Sequence, residues 1–232
     1  MTDSISLEQQ FSHAISKEEA DKLRPLPEKQ KALESELKKT QAKTIPATLS
    51  SDLSFSTNVT YGKQLDNFAE PARSFQKRDC YAIIDKYIHG KIEDKVCVVY
   101  GLRRTGKTTL LKQLLLSFNE AQKARTAYLK CTAKDTVAAL NKDIAKLRDA
   151  GFAYLFIDEV TLMDDFIDSA SLFSDIYAAQ GIKIVLSGTD SLGFHFAIHD
   201  ELYDRAVMVH TTFISYREHS RLLGHPALAC ML

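Results

Sequence analysis

Apolar and polar positions divide the chain into two regimes. From residue 95 onward, short apolar runs alternate with stretches of helical period. The runs are 95–100, opened by Val96, Val98 and Val99, then Arg125–Cys131, Phe152–Ile157, Ile182–Leu186 and Ala206–His210. Their length and β-branched content predict strands. A helix follows the first strand through Thr109, Leu110, Leu111, Leu114 and Leu115. Lys134–Ala150 carries Val137, Leu140, Ile144 and Leu147 on one face and stops at Gly151. Asp164–Gln180 carries Phe166, Ile167, Leu172, Phe173, Ile176 and Tyr177 along one side. A short helix is expected within 190–204 and a last one over Ile214–Gly224. Upstream, Phe75–His89 has helical spacing, with Gly90 as its stop. Strands alternating with helices predict an α/β fold, a parallel sheet covered on both faces. Its crossovers would be right-handed and its ligands would bind at the carboxyl ends of the strands.

Residues 1–62 follow a different pattern. The first glycine is Gly62, and 17–43 is rich in Lys, Glu, Gln, Ala and Leu. Lys29–Lys39 reads as a surface helix behind Pro25 and Pro27, and 44–60 (TIPATLSSDLSFSTNVT) as a Ser/Thr-rich linker. The organisation expected is an N-terminal helical or flexible extension, 1–62, and a globular domain, 63–232. The extension reads either as a solvated tail or as an arm that binds a protein partner or covers the domain.

At 232 residues and 45% apolar content the chain can bury a full core. Its formal net charge is zero, so nothing overall favours nucleic acid or a membrane surface. No apolar run approaches the ~18 residues of a membrane span. Cys80, Cys97, Cys131 and Cys230 lie far apart without metal-ligand spacing, and there is no leader-like N-terminus. Both features suit a reducing, cytoplasmic setting.

The chemistry concentrates at three strand ends. After the first strand, Gly101-Leu102-Arg103-Arg104-Thr105-Gly106-Lys107-Thr108 spells G-x-x-x-x-G-K-T, the P-loop or Walker A pattern, with Thr109 opening the helix. Consecutive backbone N–H groups leading into a helix N-terminus make an anion cradle. Gly101 and Gly106 permit backbone angles and close approach that a Cβ resists. Lys107 would place a positive charge on the β- and γ-phosphates, and Thr108 would offer a hydroxyl to Mg²⁺. The third strand, AYLFIDEV, ends in Asp158-Glu159, a Walker B pattern: Asp158 as a Mg²⁺ ligand and Glu159 as the base for the attacking water. The fourth ends in Ser187-Gly188-Thr189, where Ser187 or Thr189 would sense phosphate. Arg205, before the last strand, is a candidate for a phosphate of its own chain's nucleotide or of a neighbour's in a homo-oligomer.

Through GLRRTGKTTLL, YLFIDEV, LSGTDS and YDRAVMVHTTFISYREH, residues 73–223 resemble the prokaryotic AAA-type P-loop ATPases, and KRDCYAII resembles the helix that often precedes that domain. The resemblance implies a P-loop NTPase three-layer sandwich with a five-stranded parallel sheet in the order 5-1-4-3-2. It also implies ATP, Mg²⁺ and hydrolysis. Such proteins usually continue into a helical lid, and here about 20 residues follow the last strand. Three functions are in play: an ATPase driving a conformational change in a partner, a nucleotide-gated binding module, and a small-molecule P-loop kinase. The glutamate directly after the Walker B aspartate favours water activation, hence the first.

Overall fold

The computed structural model describes residues 53–224 apart from 93, 167–168 and 190–203. Strand β1 (Asn58–Tyr61) leads into helix α1 (Lys63–Ala69), a 3₁₀ turn (Glu70–Ala72) and α2 (Tyr81–His89). Then come β2 (Val96–Tyr100), α3 (Lys107–Ser117), a single-turn α4 (Glu120–Lys123), β3 (Thr126–Lys130), α5 (Val137–Asp149) and β4 (Tyr154–Asp158). Short turns lead to β5 (Lys183–Gly188), β6 (Ala206–His210) and α6 (Tyr216–Leu222).

The sheet is six-stranded, in the order β1-β3-β4-β5-β2-β6. Strands β2 to β6 are mutually parallel, and β1 pairs antiparallel with β3. The expected all-parallel sheet of five is thereby corrected to a mixed sheet of six. From the β6 edge, the parallel strands stand in the order expected, with β5 between β2 and β4, and β1 is added outside β3.

That added strand comes from the stretch read as a linker. Its residues alternate: Phe55, Thr57, Val59 and Tyr61 point one way, and Phe55, Val59 and Tyr61 pack against the core. Tyr61 meets Phe152 edge to face at 5.8 Å. The serine and threonine content reflects a polar anchor rather than solvation. The amides of Ser56 and Thr57 and the Thr57 hydroxyl all donate to Asp143 Oδ2 at 2.8–2.9 Å. Asp143 is fully buried on α5, and those three donors offset the cost of burying its charge.

Alternation along the central strands divides the core into two layers, as a sheet covered on both faces requires. Val96, Val98, Leu155, Ile157, Ile184 and Leu186 face α5, whose Val137, Leu140, Ile144 and Leu147 form the stripe the sequence predicts. Cys97, Val99, Phe156 and Val185 face the other way, onto Leu110, Leu111, Leu114 and Leu115 of α3 and Ile84, Tyr87 and Ile88 of α2. Each such fully buried side chain contributes roughly 1.5–3 kcal/mol. Tyr87 adds a polar tie. Its hydroxyl lies 2.9 Å from Lys95 O and accepts from Ile184 N–H at 3.0 Å, which fixes α2 against the amino ends of β2 and β5.

Two helix expectations change. Phe75–His89 becomes helical only from Tyr81. The single helix expected over Asp164–Gln180 is replaced by a π-helical turn (Phe173–Tyr177) running into a 3₁₀ turn (Ala178–Gln180). Phe166, Phe173 and Tyr177 stay buried, while Ile176, placed on the same stripe by an ideal 3.6 period, is turned outward. The Lys29–Lys39 helix and the helix expected in 190–204 lie outside the described residues. No helix among the described residues is long and apolar enough to cross a membrane.

Candidate functional site

The carboxyl ends of β2, β4 and β5 converge on the loop between β2 and α3. Gly101 has φ +143, and a Cβ there would lie 2.2 Å from Thr211 O, so the loop passes a fixed backbone at a distance only glycine allows. Gly106 caps α3 in a left-handed conformation with φ 88. Between them, side chains hold the loop's carbonyls. Lys107 Nζ donates to Gly101 O and Leu102 O at 2.8 and 2.7 Å, and Thr105 Oγ1 donates to Leu102 O at 2.8 Å. Thr105 Oγ1 also meets Thr211 Oγ1 at 2.8 Å. Thr105 is therefore turned away from the cleft, and Leu102 contributes its carbonyl while its side chain is exposed.

Asp158, at the end of β4, is 2% exposed. Its Oδ2 accepts from the hydroxyls of Thr108 and Tyr128, both at 2.8 Å, and its Oδ1 accepts from Glu159 N–H at 3.0 Å. Burial and the neighbouring Asp158 carboxylate push the Tyr128 hydroxyl far above its ordinary range, so it remains a donor. Glu159 itself has φ +61, a left-handed backbone that costs a non-glycine residue roughly 1–2 kcal/mol. Strain of this kind concentrates where a side chain must be aimed, and the Glu159 side chain lines the cleft.

The cleft holds about 600 Å³. Arg103, Arg104, Gly106, Lys107, Thr108 and Thr109 line one side, and Glu159 and Thr189 face them. Two lining residues were not foreseen. Lys130 ends β3 in register with Asp158, and Leu162 sits on the turn after Glu159. The strand-end rule that picked out Asp158 applies equally to Lys130. With Arg103, Arg104 and Lys107 it makes the cleft a cationic one, with Glu159 as its lining carboxylate and Asp158 buried behind Thr108. Burial holds Lys107 below the ordinary lysine range, against the pull of Glu159 and Asp158. Thr189 sits on the cleft, its N–H donating to Thr161 Oγ1 at 3.2 Å. Ser187 is fully buried, and its hydroxyl has no hydrogen-bond partner among the described residues.

Arg205 is not part of this site. It lies at the amino ends of the strands, where its carbonyl accepts from Val96 N–H at 2.9 Å. Its half-exposed guanidinium pairs with Asp175 at 3.0 Å. The length of β2, about 15 Å at ~3.3 Å per residue, separates it from the loop. The expectation that it reaches a nucleotide in its own chain is thereby corrected.

A second cavity of about 390 Å³ adjoins the first across Arg104, Gly106 and Thr109. Its walls include Phe75, Leu110, Ile214 and Leu222, with Arg78 and Gln113 as polar members. Gln113 Nε2 donates to Phe75 O at 2.9 Å and ties that wall to α3.

Five parallel strands of a mixed sheet, with a glycine-bounded loop at a helix N-terminus and a buried aspartate beside it, define a P-loop nucleotide-binding domain. More narrowly, the chain belongs to the AAA domain family, whose model matches residues 93–220, more than half of its length. It is accordingly an ATP-binding protein of AAA type. Among solved structures it is similar to S. cerevisiae Hsp104 in an extended complex with casein (13% identity, TM-score 0.47), the match covering 69% of this chain and 31% of that one. It is also similar to C. elegans PCH-2 (17%, TM-score 0.42; 69% and 46%) and to domain III of the Thermotoga maritima replication initiation protein DnaA (14%, TM-score 0.46; 71% and 74%). The matched part thus spans less than half of the Hsp104 and PCH-2 chains. At those TM-scores the likenesses add nothing to the family match. No curated protein matches the sequence.

Proposed function

We propose that the protein binds ATP with Mg²⁺ and hydrolyses it to ADP and phosphate, and that the cycle drives a conformational change in a partner. The observation that carries this reading is the 2.8 Å contact between Thr108 and Asp158, set beside Glu159 on a cleft lined by Lys107. Two oxygen donors brought into contact, one from the start of α3 and one from the end of β4, suit Mg²⁺, which takes few protein ligands and completes its shell with phosphate oxygens and water. Thr108 and Asp158 would hold Mg²⁺ there, and the ion would supply positive charge to offset that of the phosphates. Tyr128, donating to Asp158 Oδ2, keeps that carboxylate oriented. Lys107 exchanges its two loop carbonyls for phosphate oxygens. Glu159 accepts the proton of the attacking water as the new O–P bond forms and the bond to ADP breaks. Thr189 is the better placed of the two strand-end hydroxyls to sense the γ-phosphate. The apolar-walled second cavity is where the base would sit, with the phosphates at Gly106.

Arg205, facing away from its own site, fits a role on a neighbouring copy in a homo-oligomer; of residues 1–62, those from Phe55 onward are built into the domain, and the segment ahead of residue 53 remains the proposed arm for a protein partner.

The test is ATP binding and turnover in wild type, Lys107→Ala and Glu159→Gln. Lys107→Ala is expected to lose affinity, and Glu159→Gln to keep binding while turnover falls ~10²-fold or more, the upper contribution of a lost general base being about 10⁴. Tight ATP binding without turnover in wild type would establish a nucleotide-gated module instead.

A further inference from the structure

Arg78 stands just ahead of α2, outside the P-loop motif, yet its guanidinium joins three distant segments. Nε and Nη2 donate to the two carboxylate oxygens of Glu218 on α6 at 3.0 and 2.7 Å. Nη1 donates to Thr105 O in the P-loop at 2.8 Å and to Thr212 O at 2.9 Å. The two side chains are only 10% and 6% exposed. Glu218 also accepts from Asp79 N–H at 2.9 Å, so the carboxylate is fixed from both sides.

The contact with Thr105 has a consequence for the loop. A trans peptide is planar, with its C=O and N–H on opposite sides. A guanidinium that holds Thr105 O on one side therefore directs Gly106 N–H to the other. Gly106 lies at the floor shared by both cavities, at the N-terminus of α3. The carbonyls of Gly101 and Leu102 are held by groups inside the motif, Lys107 and Thr105. The Thr105 carbonyl is held from outside it. With φ of 88 at Gly106, nothing in the local backbone prevents that peptide from turning over and presenting a carbonyl to an anion.

We propose that Arg78 is a positioning residue of the phosphate cradle: it orients the Thr105–Gly106 peptide, and Glu218 on α6 holds it in place. The proposal rests on the reading of the cleft as a phosphate site. It makes the placement of α6 a condition for phosphate affinity. An ion pair that merely braced α2 against α6 would affect stability but not the balance between phosphate and base recognition.

The experiment compares wild type, Arg78→Gln and Arg78→Lys for binding of ATP, inorganic triphosphate and adenosine, with thermal melts alongside. Arg78→Lys keeps a charge beside Glu218 but has no fork to span Glu218 and Thr105. Both variants are expected to bind ATP and triphosphate about tenfold or more weakly, about 1.4 kcal/mol per tenfold; because Arg78 also lines the second cavity, adenosine affinity is expected to fall too but by clearly less, with Arg78→Lys melting near wild type. Wild-type triphosphate affinity in Arg78→Lys, or a loss shared equally by adenosine, would overturn the proposal. Wild type that binds no ATP or triphosphate would instead overturn the reading of the cleft.

Discussion

Gly101→Ala probes the closest backbone approach in the site. The added methyl would meet Thr211 O at 2.2 Å, Thr211 Oγ1 at 2.6 Å and the Thr211 carbonyl carbon at 3.1 Å. Those atoms cannot yield cheaply. Thr211 N–H donates to Tyr100 O at 2.7 Å, its hydroxyl also reaches Tyr100 O at 2.9 Å, and the same hydroxyl meets Thr105. Alanine at φ +143 adds strain of roughly 1–3 kcal/mol. Displacing Thr211 forfeits hydrogen bonds of roughly 0.5–1.5 kcal/mol each. The total is about 2–6 kcal/mol, a large share of the ~5–15 kcal/mol that holds a domain together. At ~2–4 °C per kcal/mol for a chain of this size, the melting temperature should fall by about 4–24 °C. Gly181→Ala is the matched control: φ is +82, but no heavy atom lies within 4 Å of the new methyl, so only backbone strain applies. Thermal melts and ATP titrations of both variants decide the matter. Gly101→Ala should be clearly the less stable and should bind ATP more weakly, because Thr211 and Thr105 shape the loop. If it melts no lower than Gly181→Ala, the close approach is not the reason for glycine at 101.

Tyr87→Phe leaves the buried Ile184 N–H without the hydroxyl it donates to; it should lose about 1–3 kcal/mol in denaturant titrations while ATP affinity, measured beside it, stays at the wild-type level. Acid stability should depend on Glu218, whose carboxyl the Arg78 guanidinium holds below its ordinary range against the effect of burial. The ion pair's contribution is fully present above the unfolded glutamate value, about 4.3, and is lost as pH falls through the lower folded value. The gap in melting temperature between wild type and Glu218→Gln should therefore be constant near neutrality and close as pH drops below about 4; a gap independent of pH would show that the contact acts through shape alone. If Arg205 serves a neighbouring copy, turnover should rise with protein concentration in wild type, and a mixture of Glu159→Gln and Arg205→Ala chains should recover part of it; turnover independent of concentration would remove that role.

The parts of the site legible in the sequence are those that one local segment supplies. Gly101, Gly106, Lys107 and Thr108 follow from a single loop, and Asp158-Glu159 from a single strand end. Lys130 obeys the same strand-end rule, but a lone lysine after TAYL has no motif to mark it. The edge strand β1 was hidden by composition: the alternation of Phe55, Thr57, Val59 and Tyr61 was present, yet serines and threonines between them read as solvated chain. What they bind, the buried carboxylate of Asp143, lies 86 residues away from Thr57. The segment after Asp164 misled in the opposite direction. Its apolar residues are spaced for an ideal helix, and a π-helical turn over Phe173–Tyr177 shifts the face.

By itself, then, the sequence determined the alternation of strands and helices, the buried faces of α3 and α5, and the identity of the residues at the ends of β2 and β4. Period and motif are local, and these features need nothing beyond neighbours in the chain. Tertiary structure decided the rest: that Thr189 rather than Ser187 faces the cleft, that Arg205 lies at the opposite end of the sheet, and that Arg78 reaches the P-loop from 27 residues before it and Glu218 from 140 residues after. Strand direction sets which end of the sheet a residue occupies, and a long-range ion pair exists only once the sheet has brought its partners together.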